Sequence, residues 1–442
     1  MRYALLALVA VAGCGTKPEP PPPPAPVVPP VHEKLKADEP PPLPVPVERE
    51  PSAADRAGIE AAAKCGATVH DAEGGYEVRV ERDTRAAEAL AALAGNTSVV
   101  SVGIENDALT DADLGHLSGC ANLARLTLLN CPKVTGTGLS ALAGCKKLKA
   151  LSATACALTD AAPRALASVA ALEELTLDGA KLTDAGLRAL ATLPALEVLS
   201  LEGTPVTGTA FAAPGWAKVR ELNLARAAVS DEGGAAVLAL PLLARLTADR
   251  TPITDAGLPG LARAKNLVEL SLSATRITDV SVRLAVQNEN LRSLDVSETH
   301  IGGGWLARVP ERPRLRKLNV ARTKFDDEGA ALLVRFPNLS RFDASGCESL
   351  TDKGLTALGA VRALTAVELS ATAAGDATAA ALAQLPELTD AGFGRSKLTD
   401  AGAKLLGSAA KLRVLDARGT KVTREGAERA KRGRARLEIR TD

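Results

Sequence analysis

The chain has 442 residues, a formal net charge of +1 at pH 7, and 46% hydrophobic but only 2% aromatic residues. A near-neutral balance, with no basic run interleaved with aromatics, excludes the broad positive field of a nucleic-acid binder. So few rings also exclude a core built on aromatic bulk, leaving Leu, Val and Ala to fill it, which suits many thin layers of one kind.

Residues 1–14 read MRYALLALVAVAGC. Arg2 gives a positive start, and Tyr3 to Ala12 form an apolar run too short to remain as a membrane-spanning helix. Val11-Ala12-Gly13-Cys14 resembles the bacterial lipobox. The resemblance implies cleavage before Cys14 and a lipid on its thiol, and Gly15 in place of Asp implies the outer membrane. An ordinary secretory signal with a chance cysteine is the other reading. From Cys14 to Pro51 proline dominates, with Pro20 to Pro24 in one run. Proline fixes φ and donates no hydrogen bond, so a disordered, extended tether is expected. About 34 such residues at ~3.1 Å each reach up to ~100 Å. The stretch can act as a plain spacer or as a ligand for aromatic-lined grooves.

Residues 52–82 read as an N-terminal cap, with a helix from Ala53 to Cys65 and a strand from Tyr76 to Val80. Residues 83–436 are repetitive, and 437–442 close the chain. Units start at Val99, Leu123, Leu148, Leu172, Leu196, Val219, Leu243, Leu267, Leu291, Leu315, Leu339, Leu364, Leu388 and Leu412, about 24 residues apart. In the unit from Leu172, Leu172-Glu-Glu-Leu175-Thr-Leu177 reads as a short strand with alternate residues inward. Thr183 can cap a following helix, Asp184 suits its positive end, and Leu187 and Leu190 share one face. No unit buries both of its faces alone, so fourteen must stack, over roughly 65 Å at about 4.8 Å each.

The Thr-Asp-x-Gly-Leu-x-x-Leu motif, as at Thr254 to Leu261, resembles the bacterial branch of cysteine-containing, GALA-like leucine-rich repeats. Cys131, Cys156 and Cys347 sit where that family has Cys or Asn after the strand. Thr204, Thr251, Thr275, Thr299, Thr323, Thr372 and Thr420 take the same place elsewhere. The resemblance implies an α/β fold: a right-handed leucine-rich-repeat solenoid, or horseshoe, with a parallel β-sheet on the concave face and short helices on the convex face. It also implies protein binding.

The search for chemistry returns little. No His-Glu-x-x-His, Cys-x-x-Cys or phosphate-binding glycine loop occurs, so no metal, cofactor or catalytic group is assigned and no enzyme activity is expected. Cys131 with Cys156, and Cys120 with Cys145, are equivalent on adjacent units; each pair is either a disulfide or two buried thiols. Asp295, Ser297 and His300 share one unit, with Asp295 and Ser297 expected to point outward. A solvated strand face accounts for them better than a nucleophile with its base.

A partner surface is expected on the concave face. The fifth place of successive units gives Asp295, Asn319, Asp343 and Glu368, a carboxylate ladder to be offset by Lys317 and Arg341 at the third place and Arg322 at the eighth. The tenth place gives Arg276, His300 and Lys324 along one rim. Glu174, Asp178, Glu197 and Glu202 form a second, acidic group. Trp216 and Trp305 read as core filler rather than binding anchors. Two units are irregular, from Gly208 to Val219 and from Ile301 to Pro313. The expected molecule is a monomeric, lipid-anchored envelope protein that binds an unidentified protein and no nucleic acid. A structural spacer without a concave-face ligand is the alternative.

Overall fold

The computed structural model describes residues 51–308 and 314–442, so Cys14, the lipobox and the tether up to residue 50 lie outside the described residues. Among the described residues seventeen strands form one sheet. Thr68–Ala72 and Gly75–Val80 form an antiparallel hairpin. From Gly75–Val80 onward each strand pairs in parallel with the next in sequence, ending at Glu438–Arg440. The strand Thr68–Ala72 is absent from the sequence reading: it lacks the apolar alternation that marks its partner.

Register follows the leucines. Leu246, Leu270, Leu294, Leu318 and Phe342 lie directly beside one another across five strands, all turned into the core. From Arg125–Leu129 to Val414–Asp416 the chain leaves each strand through a left-handed turn at the eighth place of the unit. Gly179, Gly203, Gly346 and Gly419 have positive φ there, and so do Ala274, Glu298, Arg322 and Arg395. The ninth residue then turns inward. Thr204, Thr275, Thr299 and Thr372 each donate the hydroxyl to the carbonyl three residues earlier, at 2.5–2.7 Å. These buried hydroxyls satisfy a turn that would otherwise carry an orphan acceptor into the core. Cys347 fills the same place, with Sγ 3.1 Å from the Val320 carbonyl.

The other side of each unit is a short α-helix or a 3-10 turn. Asp279–Val286 and Asp400–Gly407 are α-helical, whereas Thr137–Gly144 is 3-10. Threonine caps these helices as the motif predicts: Thr183 accepts from the Gly186 amide and Thr423 from the Gly426 amide. The aspartate that follows does more than face its own helix end. Asp184 accepts from the amide and hydroxyl of Thr207 in the next unit, and from the Ala210 amide. Asp111, Asp231, Asp255, Asp376 and Asp400 repeat the contact with the threonine one unit on. The motif is therefore a staple between layers.

The glycine of the motif follows from the same contact. A Cβ on Gly402 would fall on Asp376 Oδ1 and Leu398 Cδ1, and one on Gly186 would fall on the Asp160 carboxylate. Adjacent helices approach too closely there for any side chain. Burial raises the pKa of Asp111, Asp184, Asp255 and Asp352, but the hydrogen bonds from the next layer outweigh it. All four are held below the usual carboxylate range.

One continuous hydrophobic core runs from Ile59 to Ile439. At its start the helix Ala53–Lys64 lies over the first layers, tied by the buried Asp55, which accepts from the amide and hydroxyl of Thr97. At its far end Arg434 donates to the carbonyls of Gly407, Ala409, Ala410 and Leu412, closing the exposed carbonyl edge of the preceding unit. Trp216 and Trp305 are 3% and 2% exposed, packed on Phe211 and Phe336. Of the irregular unit from Ile301 to Pro313, the described part holds the 3-10 turn Gly304–Arg308. Its Gly302 amide still donates to Asp279, so the staple survives the loss of threonine.

Candidate functional site

The third and fifth residues of the units point outward, and the second residue lies exposed or half-buried beside them. In the units from Leu148 to Leu243 several exposed charges are matched across neighbouring units, whereas Arg125, Glu269 and Arg413 take part in no ion pair among the described residues. Lys149 meets Glu173 at 2.9 Å, Arg220 meets Glu197 at 3.5 Å and Arg226 meets Glu202 at 3.6 Å; Arg245 pairs with Glu221. The acidic group of Glu197, Glu202 and Asp178 is thus engaged within the chain, Asp178 accepting from the Ser200 hydroxyl and the Glu202 amide. Of the four, Glu197 and Glu202 form ion pairs and Glu174 and Asp178 form none among the described residues.

The pattern changes in the units that start at Leu291, Leu315 and Leu339. Lys317 and Arg341 lie directly opposite each other on adjacent strands. Arg292 and Arg316 precede them, joined through the backbone: the Arg316 and Lys317 amides both donate to the Arg292 carbonyl, at 2.8 and 2.9 Å, and the Arg341 amide to the Arg316 carbonyl. All four side chains are exposed, and none has an ion-pair partner among the described residues. Asp343 and Glu368 face each other one strand further on. Like charges directly opposite one another destabilise a sheet, so two adjacent columns here carry a cost that the rest of the sheet avoids.

The sequence-derived candidates divide accordingly. Asp295 is occupied: it accepts from the amide and hydroxyl of Ser297 and, at 2.7 Å, from the Asn319 side-chain amide. Lys317 and Arg341 do not neutralise the acidic column as expected. Asp343 accepts instead from the Ser345 amide. Arg322 pairs with Glu298 at 3.1 Å rather than with the column. Arg276, His300 and Lys324 lie exposed at the tenth place and make no ion pair among the described residues. Arg292 and Arg316 escaped the sequence reading because strand alternation counts the second place as inward, whereas Leu-x-x-Leu leaves two outward residues together.

Glu368 is the most perturbed carboxyl of the face. Burial first, then the negative charges of Asp343, Asp416 and Asp390, push it up to about 7. The residue as a whole is exposed, but its carboxylate folds over the backbone of Gly392, where a Cβ would collide with it. Asp416 escapes this fate because Arg418 hydrogen-bonds its carboxylate and holds it low.

The nucleophile reading of Asp295, Ser297 and His300 is not supported. Ser297 is 8% exposed, its hydroxyl held against Asp295 and Ser273 rather than against an imidazole. His300 is exposed and makes no hydrogen bond among the described residues. Depressions of about 470 and 380 Å³ lie around Leu238, Pro241 and Arg263, and around Leu412 and Arg434, and His300 lines neither. The six described cysteines are free thiols. Burial pushes Cys120 and Cys145 up to about 11. Cys131 and Cys156 lie side by side, and the thiol–thiol hydrogen bond pulls Cys131 down and Cys156 up.

Comparison with known proteins agrees with this geometry. The leucine-rich-repeat family profile matches residues 217–238 and 287–304. An internalin from Listeria monocytogenes superposes with a TM-score of 0.51 at 18% identity, over 83% of this chain and 97% of that one. The chain has the leucine-rich-repeat fold. A leucine-rich-repeat protein of Leptospira interrogans superposes likewise, with a TM-score of 0.52 at 16% identity over 78% of this chain and 96% of that one. In this leucine-rich-repeat protein the strand face of the units from Leu291 to Glu368 is the candidate site.

Proposed function

We propose that this leucine-rich-repeat protein is a non-enzymatic binding module of the bacterial cell envelope, anchored through a lipid on Cys14, that engages a protein partner on the strand face of the units from Leu291 to Glu368. One observation carries the reading. Several exposed charges between Lys149 and Arg245 are paired between layers, whereas Arg292, Arg316, Lys317 and Arg341 cluster on adjacent units with no ion-pair partner among the described residues, beside the opposed Asp343 and Glu368. A partner of complementary charge offsets that cost on binding and gains association rate and specificity from it. Among the described residues the face has no exposed Trp or Tyr to act as an anchor, so electrostatics rather than aromatic burial sets recognition.

The test is a photo-activated cross-linking residue placed at Lys317 in intact cells, with the exposed Lys353 on the helix side as reference. The reading requires one protein adduct from position 317 that position 353 does not give. Equal adduct patterns from both positions would leave a spacer as the better account. Anchoring is tested separately: a fatty-acid analogue should label the native chain, and Cys14→Ser should abolish the label and release the protein from the membrane fraction.

A further inference from the structure

We infer that the partner presents an extended segment with acidic side chains on one side and basic side chains on the other, lying across the strands of these units. The inference rests on the binding function proposed above and names the chemistry of the ligand. The basic group of Arg292, Arg316, Lys317 and Arg341 and the acidic pair of Asp343 and Glu368 adjoin on the sheet and meet on the strand Arg341–Asp343. On that strand Arg341 and Asp343 are two residues apart, about 6.8 Å. A broad polyanion, such as a duplex or a lipid surface, is wider than that and meets both columns, so the carboxylates oppose it. A single extended chain is narrow enough to separate them. Its side chains alternate from side to side, and a segment of the type Glu-Lys-Glu-Lys therefore sets carboxylates over the arginines and ammonium groups over Asp343 and Glu368. Each column then gains the counter-charges it lacks within the chain.

The test uses the full chain and four labelled probes: twelve-residue peptides of alternating Glu and Lys, alternating Glu and Ser, and alternating Lys and Ser, and a vesicle of anionic lipid. The alternating Glu-Lys peptide should bind at least tenfold tighter than either serine peptide. Lys317→Glu with Arg341→Glu should remove at least tenfold of that affinity, as should Asp343→Lys with Glu368→Lys, while circular dichroism and melting confirm that both variants fold. Equal binding of the three peptides overturns the inference, and so does a preference for the vesicle. If position 317 cross-links a protein in cells but the Glu-Lys peptide shows no preference, the ligand chemistry is wrong and the binding face stands. If neither is seen, both fail.

Discussion

Glycine and aspartate in the repeated motif act on each other across layers, and this sets the cost of changing either. Gly402 leaves no room for a Cβ against Asp376 and Leu398, so Gly402→Ala should cost about 2–3 kcal/mol, through overpacking and a displaced staple. Gly203 has φ +67° with nothing within 4 Å of a Cβ. Gly203→Ala should cost only about 1 kcal/mol, the price of a left-handed alanine; Ala274 already holds that conformation in an equivalent place. Chemical denaturation of the two variants measures the difference, and equal losses would mean that the layers relax around the new methyl. Asp255 accepts from the amides and hydroxyls of both Thr278 and Ser281. Asp255→Ala should therefore lose about 2–3 kcal/mol and Asp255→Asn about 1 kcal/mol, since the amide keeps one acceptor.

At the scale of the sheet, the acidic column couples charge to stability. Glu368 titrates near 7 in the folded chain, against an ordinary value of 4.5. The folded state thus holds a proton that the unfolded state releases between those values, and stability falls as pH rises through the window. Glu368→Gln removes the effect. Its melting temperature should exceed that of the native chain at pH 8 and match it near pH 4.5; an equal difference at both values would assign the change to packing instead. The effect is moderated by solvent, because Glu368 is exposed over part of its surface. The strands themselves were legible from Leu-x-x-Leu-x-Leu. The left-handed turn that follows most of them was not, because Ala, Arg and Glu fill it twice as often as Gly does. Reading Gly179, Gly203, Gly346 and Gly419 in one column would have found it.

Over the whole molecule the repeat made the fold readable, because a period of about 24 residues fixes which side chains share a row. Partners did not follow from columns alone. Asp295 has the same place as Asp343, yet the neighbours Ser297 and Asn319 satisfy it while Asp343 faces Glu368. Arg322 was drawn to Glu298 one unit away, which a count of column charges does not decide. The staples also act together at this scale. Asp111, Asp184, Asp255 and Asp352 are held below 3.8, so their stabilisation is complete above that value and is lost as pH falls through the depressed values. Melting temperature should drop steeply below about pH 4, in one transition if the layers unfold together and in several if they separate.

The central claim is that unpaired charge on the strand face is there for a partner. The measurement that reaches it most directly is the yield of the protein adduct formed in intact cells from a cross-linking residue on the tenth-place rim, at Lys324, in the native background and with Lys317→Glu and Arg341→Glu. The account predicts one adduct whose yield falls at least tenfold in the charge-reversed chain, at equal expression and unchanged melting temperature. An adduct of undiminished yield would contradict it, because the stacked cations would then be solvated surface and no part of a binding site.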